Sequence, residues 1–527
     1  MTSKPPAHAF STTPSHDASS SAANRYDAQL QGRFEAREAD WRNGAVTYQV
    51  LVDRFAPSAD LQAKRHLYPA PKRLHDWSEL PAQGHFLEDV RLWSHEIDFW
   101  GGDLQSLRSR LDHIQQLGAD VLYLNPICLA YTNHKYDALD YKAVSPEYGT
   151  REDIKALAEE LHRRGMKLVL DGVFNHMGRN APIFQQAKAD PQSPWRDWFI
   201  FDDGMPGGAR SWMEAENLPE LNMENPAVQA HVWGDADSVV RGYLRDGVDG
   251  WRLDVAHDIG MDLLHALTTA AHDEKPGSLV VGELWNWPKE WFPAVDGVMN
   301  FTLREIILRT LDGRLPPQQA QRMIARMVDE CGVDALLKSW LMLDNHDTVR
   351  LATALSDERA RRMAQALQFT LPCAPNLYYG SELGMEGGAD PAMRAPMRWD
   401  LVQDDNPTLL WTRQLIALRR SQRALRVGDW RAVETDRLLG FERHTDRVGE
   451  TVIVLANPSD DTITETVLVA NSKLMNNSPV KDLLDPLRGH TPFLAGLLEV
   501  TLQPWETRIL QPDVAPRRGY TTYKRVR

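Results

Sequence analysis

Eight short apolar runs, most separated by amphipathic helical patterns, constrain this chain more than any other feature. They are Val46–Val52, Val121–Asn125, Lys167–Phe174, Val248–Val255, Leu279–Leu284, Val295–Phe301, Trp340–Leu343 and Asn376–Tyr379. Between the first two, Leu104, Leu107, Leu111, Ile114 and Leu117 recur at helical spacing and stop at Gly118. Asp153 to Arg164 reads as a further helix. Strands alternating with helices predict an α/β fold, and eight of them predict a (β/α)₈ TIM barrel. A doubly wound open sheet alternates too, but no Gly-rich phosphate loop follows the first strand.

Two interruptions complete the expected architecture. About fifty residues, 177–227, follow the third strand and are rich in Trp, Pro, Gly and Asn. A loop of that length inside a compact domain is expected to be functional. After about residue 403 come one more helix and then short alternating segments, among them Leu438–Glu442, Thr451–Ala456 and Thr464–Val469. These predict a C-terminal antiparallel β-sandwich over 404–512, behind a catalytic barrel over 26–403. Residues 1–25, rich in Ser, Ala, Thr and Pro, read as a disordered tail, and 513–527 as a solvated basic tail.

The net charge of −14 gives no electrostatic case for nucleic acid or an anionic membrane. Three scattered cysteines, Cys128, Cys331 and Cys373, make neither a disulfide frame nor a zinc cluster. No run reaches transmembrane length and the first residues lack a signal-peptide core, so a cytoplasmic location is expected.

In a barrel the working residues stand at the C-terminal ends of several strands at once. Asp171 and His176 close the third strand, Arg252 and Asp254 the fourth, and Glu283 the fifth. His346, Asp347 and Arg350 follow the seventh. Arg252 and Asp254, two apart on a strand, point to one face, with Leu253 and Val255 facing the other way. A cation beside a carboxylate favours its ionised form, which suits a nucleophile. Leu284, Trp285 and Trp287 give Glu283 an apolar setting, which would raise a carboxyl pKa and suit a proton donor. Any one of these acids is weak evidence, since acidic residues often end strands. Several carboxylates at one barrel mouth are costly to assemble for stability alone, and they fit glycoside hydrolysis through a covalent intermediate.

These motifs resemble those of the α-amylase superfamily of retaining α-glucosidases and transglycosylases. The matching blocks are Asp171–His176, Gly250–Asp258, Gly282–Trp285 and Asp344–Arg350, with Leu218–Asn222 as a fifth, all in the family's order. The resemblance implies Asp254 as nucleophile, Glu283 as general acid/base and Asp347 as the carboxylate that holds the sugar's hydroxyls. It places His176, His346 and Arg252 around the same glucose unit and has Arg350 reach that sugar or orient Asp347. Tyr136 would stack on the ring. Asp171 and Trp285 complete the substrate-binding set. Asn133–Tyr141, Asp296–Phe301 and Gly387–Arg394 are similar to the cyclomaltodextrinase, neopullulanase and maltogenic amylase group. That group carries an N-terminal β-domain, whereas barrel-like sequence here starts near residue 46; Pro57–Phe99 is the candidate substitute wall.

The family often holds Ca²⁺ near the first strand, and Gly101-Gly-Asp103 matches half of such a site. Its Asn- and Asp-rich loop is absent and Ala56–Asp60 offers one carboxylate, so Asp103 is the candidate Ca²⁺ ligand of a site short of the usual six to eight oxygens, and tight binding is not expected. No cofactor is expected to be required. The expected activity is cleavage of α-1,4, and in some relatives α-1,6, bonds in malto-oligosaccharides, cyclodextrins or related α-glucans. Transglycosylation or isomerisation by the same residues, and a non-catalytic carbohydrate-binding module, are the alternatives. A monomer and a homodimer are both open.

Overall fold

In a computed structural model, which describes residues 26–516 and 518–526, eight parallel strands close into a barrel. They are β1 Thr47–Val50, β2 Val121–Leu124, β3 Lys167–Gly172, β4 Gly250–Leu253, β5 Leu279–Leu284, β6 Gly297–Asn300, β7 Trp340–Met342 and β8 Ala374–Tyr378. Each lies within one of the apolar runs or overlaps it, and β1 closes the ring by pairing with both β2 and β8. The expected tail at 1–25 falls outside the described residues.

Strands in such a barrel are buried on both faces, which is why they read as continuous apolar runs. Side-chain alternation then sorts them. Val121, Tyr123, Val169, Leu279, Val281, Met299, Trp340 and Met342 fill the interior. Their neighbours Leu122, Leu124, Leu168, Leu170, Val280 and Leu253 pack outward against the helices. Carried along β3, β4 and β5, the inward parity reaches Asp171, Arg252 and Glu283 at the upper rim. Register agrees, pairing Arg252 with Asp171 on one side and with Val281 on the other.

The helix expected over 104–117 is two pieces, Leu104–Arg108 and Leu111–Leu117, with Gly118 as a left-handed cap at φ 97°. At the C-terminal end, a six-stranded antiparallel sheet starts at Asp429 and faces a pair made of Ile463–Leu468 and Leu497–Leu502. Ile453, Leu455 and Leu510 of the first sheet share a core with Val467, Leu498 and Leu502 of the pair, so the unit is a sandwich. The helix Pro407–Ser421 belongs to the barrel instead, because Leu409, Leu415 and Ile416 join the barrel's helical layer. The end of the chain is not wholly solvated: the Tyr523 hydroxyl accepts from the Met475 amide at 2.9 Å and meets Ser478 Oγ at 2.5 Å.

Candidate active site

At the C-terminal rim of the barrel lies a cavity of about 620 Å³. Asp254, Glu283 and Asp347 line it, with Tyr136, His176, Trp285 and His346. Seven of the ten expected catalytic and substrate-binding residues therefore meet at one mouth. Arg252 and Asp171 sit directly beneath, both without side-chain exposure.

Arg252 organises the floor. Its Nη1 donates to Asp171 Oδ1 and to Asp254 Oδ1, both at 2.8 Å. Its Nη2 lies 2.9 Å from Glu283 Oε2, at an angle that makes the contact an ion pair rather than a hydrogen bond. One cation thus faces three carboxylates. Burial raises Asp254 well above the usual aspartate range; Arg252 opposes that rise, and Glu283, Asp171 and Asp347 add to it. Asp171 is raised as well, by burial against the pull of Arg252 and the hydroxyls of Tyr123 and Tyr136. Like charges this close disfavour one another's ionised form, so Asp171 and Asp254 take up and give up protons together.

Two histidines, His176 and His346, are held below the ordinary imidazole range. Burial brings His176 down to about 4, and His346 is lowered well below its ordinary value by burial and by Arg394 and Arg252. The Gln49 amide at 2.9 Å from His346 Nδ1 leaves the ring proton on Nε2, which faces the Tyr136 hydroxyl at 2.5 Å and Asp347 Oδ2 at 3.1 Å. Tyr136 lies parallel to His346, centroids 5.3 Å apart. Neither ring nitrogen of His176 has a hydrogen-bond partner, and Nε2 stands 3.9 Å from Asp254 Oδ2.

Four expectations are corrected. Val255 does not face away: the strand ends at Leu253, and Val255 turns into the cavity at φ 47°. A β-branched residue there is a genuine backbone outlier, and its N–H donates to Glu283 Oε2 at 3.1 Å. Glu283 is not in an apolar setting. Besides Val255 N and Arg252 it meets the Trp285 indole N–H at 3.1 Å, while Trp287 turns away to donate to Glu330 at 3.0 Å. Arg350 neither lines the cavity nor bonds Asp347; it is fully buried and spends its guanidinium on the carbonyls of Met393 and Tyr379, at 3.0 and 2.7 Å. Arg394 stands in its place, 3.3 Å from Asp347 Oδ1 and donating to the His346 carbonyl at 2.9 Å. Asp171 is roofed by Tyr136 and Arg252, so it braces the floor rather than lining the cavity.

Sequence reasoning also missed the walls. Trp212 and Met213 come from the inserted segment, with Trp212 stacked on His176 at 5.8 Å. From Pro57–Phe99 only Glu96 reaches the cavity, paired with His134 at 3.1 Å. Asp390 joins Arg394 from the loop after β8, whose Gly387–Arg394 block was the available signal.

The residues around Asp103 do not fit a calcium ion. Its Oδ1 caps a helix by accepting from Ser106 N at 2.6 Å, and its Oδ2 holds the Lys64 ammonium at 2.8 Å. An ammonium in that position repels a dication. No group of three or more His, Cys, Asp or Glu among the described residues could hold a metal. A chelator such as EDTA is therefore expected to shift the apparent Tm by no more than about a degree, measured by scanning calorimetry, since only a fold that depends on its metal is destabilised by removing it.

Comparison with known proteins agrees with the geometry. The family model "Alpha amylase, catalytic domain" matches residues 49–406. Neopullulanase 2 of Thermoactinomyces vulgaris is 31% identical over 492 residues, covering 89% of this chain and 78% of that protein. The intracellular maltogenic amylase of Bacillus subtilis (strain 168) is 33% identical, and this chain spans 64% of its length. Among solved structures, the cyclic alpha-maltosyl-(1→6)-maltose hydrolase of Arthrobacter globiformis is 30% identical with a TM-score of 0.75, over 90% of this chain and all of that one. With a closed barrel, its acidic mouth and these matches together, the chain belongs to the α-amylase family of glycoside hydrolases.

Proposed function

We propose that this protein is a retaining hydrolase of α-glucosidic bonds, acting on the α-1,4 links of malto-oligosaccharides and cyclic maltodextrins. The observation that carries this reading is Asp254 and Glu283 fastened to neighbouring nitrogens of one guanidinium beneath a cavity of about 620 Å³. Double displacement needs one carboxylate as nucleophile and a second carboxyl group as acid and then base, and these two residues supply that pair. The printed names of the relatives, a neopullulanase, a maltogenic amylase and a cyclic maltosyl-maltose hydrolase, support an α-glucan substrate.

In the first step Glu283 acts as the acid and delivers a proton to the glycosidic oxygen. Asp254 attacks the anomeric carbon through Oδ2, since Oδ1 is held by Arg252. In the second step Glu283 takes a proton from water, whose oxygen displaces Asp254 and restores the α-anomer. Asp347, positioned by Arg394 and His346, holds sugar hydroxyls as the ring distorts, and Tyr136 stacks on the ring.

Proton NMR of the enzyme with maltotetraose, β-cyclodextrin, pullulan and an α-1,6 oligosaccharide tests the reading. Early release of the α-anomer supports it; early β-anomer or no cleavage overturns it. Products longer than the substrate would mark a transferase instead.

A pH prediction follows from the cluster. Asp254 attacks only when ionised, so kcat/KM falls as pH drops through its raised pKa. The acid limb should therefore lie above the ordinary aspartate value of about 3.9. Asp171→Asn removes one of the charges that raise Asp254 and should move this limb to lower pH. A limb that stays put or rises contradicts the electrostatic account.

A further inference from the structure

A second cavity, of about 590 Å³, lies beside the loop that follows β5. Trp287 lines it with Lys289, Thr302, Met323, Arg326 and Glu330. None of these residues has a part in the chemistry above. Their arrangement is nonetheless built. The Trp287 indole is fixed by donating Nε1–H to Glu330 Oε2 at 3.0 Å, and Arg326 stands 5.8 Å from its ring centroid. Arg326 in turn donates to Glu330 Oε1 at 2.6 Å.

The two cavities are neighbours through chain and packing alike. Trp285, which lines the catalytic cavity, is 58% exposed and has one face stacked on Phe301 at 3.6 Å. Thr302, the residue after Phe301, lines the second cavity and donates to the Asn286 carbonyl at 3.3 Å. Trp285 of the catalytic cavity and Trp287 of the second thus stand two residues apart on one loop.

We propose that this second cavity binds the part of a long α-glucan chain that runs on past the catalytic cavity, across Trp285 and onto Trp287. The inference rests on the α-glucan reading above and adds where chain length is sensed. The chemistry suits a sugar. A locked indole offers the apolar face that stacks on a pyranose ring, and the charged rim of Lys289, Arg326 and Glu330 supplies donors and acceptors for hydroxyls. The volume lies within the range of ligand pockets and is close to that of the catalytic cavity.

The test compares maltotriose with maltoheptaose. Trp287→Ala should leave kcat and KM for maltotriose unchanged and raise KM for maltoheptaose about tenfold, the scale of one lost aromatic contact. Trp287→Phe, which keeps an aromatic face, should recover most of that loss and show that the effect is not misfolding. Equal changes for both substrates, or none for either, would overturn the proposal while leaving the catalytic assignment standing. Absence of cleavage and binding of every α-glucan by the unaltered enzyme would overturn both.

Discussion

Asp254→Asn is expected to lower kcat on maltotetraose by about four orders of magnitude or more while raising the apparent Tm. Both effects come from one observation. Asp254 is buried beside Glu283, Asp171 and Asp347, and its ionised form is disfavoured by all three and by loss of water. The Arg252 guanidinium favours it. Asparagine can keep the Arg252 bond through its carbonyl oxygen, and its amide then occupies the space near His176 Nε2, where no hydrogen bond is lost. The fold is relieved of a buried charge; the proposed double displacement is left without its nucleophile. Calorimetry and product assay on the same preparation check the pair. A variant that retains turnover, with contamination excluded, would remove Asp254 from the mechanism. A Tm lowered by several degrees would show that the ion pair outweighs the repulsion.

That opposition between stability and chemistry explains which parts of the molecule could be read from the sequence. Barrel strands are selected by burial on both faces, so β2 or β5 stands out as an apolar run whatever the protein does. Their inward parity places Asp171, Arg252 and Glu283 by counting alone. Counting stops where the backbone leaves the strand. Val255 was expected to face away because alternation was carried one residue too far. Its left-handed turn brings its N–H to Glu283 instead, and no residue type announces that turn. Arg350 and Arg394 show a second limit. Both are arginines near the mouth, and only the packed loop after β8 decides that Arg350 anchors Met393 and Tyr379 while Arg394 reaches Asp347. Trp212 and Met213 mark a third, because the inserted segment has no periodicity from which a facing could be counted.

The largest loss of stability is expected from Arg252→Met. The methionine stem fills much the same buried space, but Asp171, Asp254 and Glu283 are left without their shared cation. Removing one partner of a buried ion pair costs about 3–5 kcal/mol, a large share of the 5–15 kcal/mol that stabilises a typical fold. Arg252 holds the pKa values of Asp171 and Asp254 down against burial, so its loss must raise both further above their unfolded values. Groups with raised folded pKa values contribute stability at low pH and lose it as pH rises through those values. The penalty relative to the unaltered protein should therefore be larger at pH 8 than at pH 5, measured by denaturant unfolding at each. Adding Asp171→Asn to Arg252→Met removes one stranded carboxylate and should recover part of the stability, more at pH 8 than at pH 5. It should recover no activity, because Asp254 and Glu283 still lack the cation that holds both of them at the mouth. Recovery of both together would mean that Arg252 serves the fold alone; recovery of stability without turnover is the result that ties the same guanidinium to the fold and to the reaction.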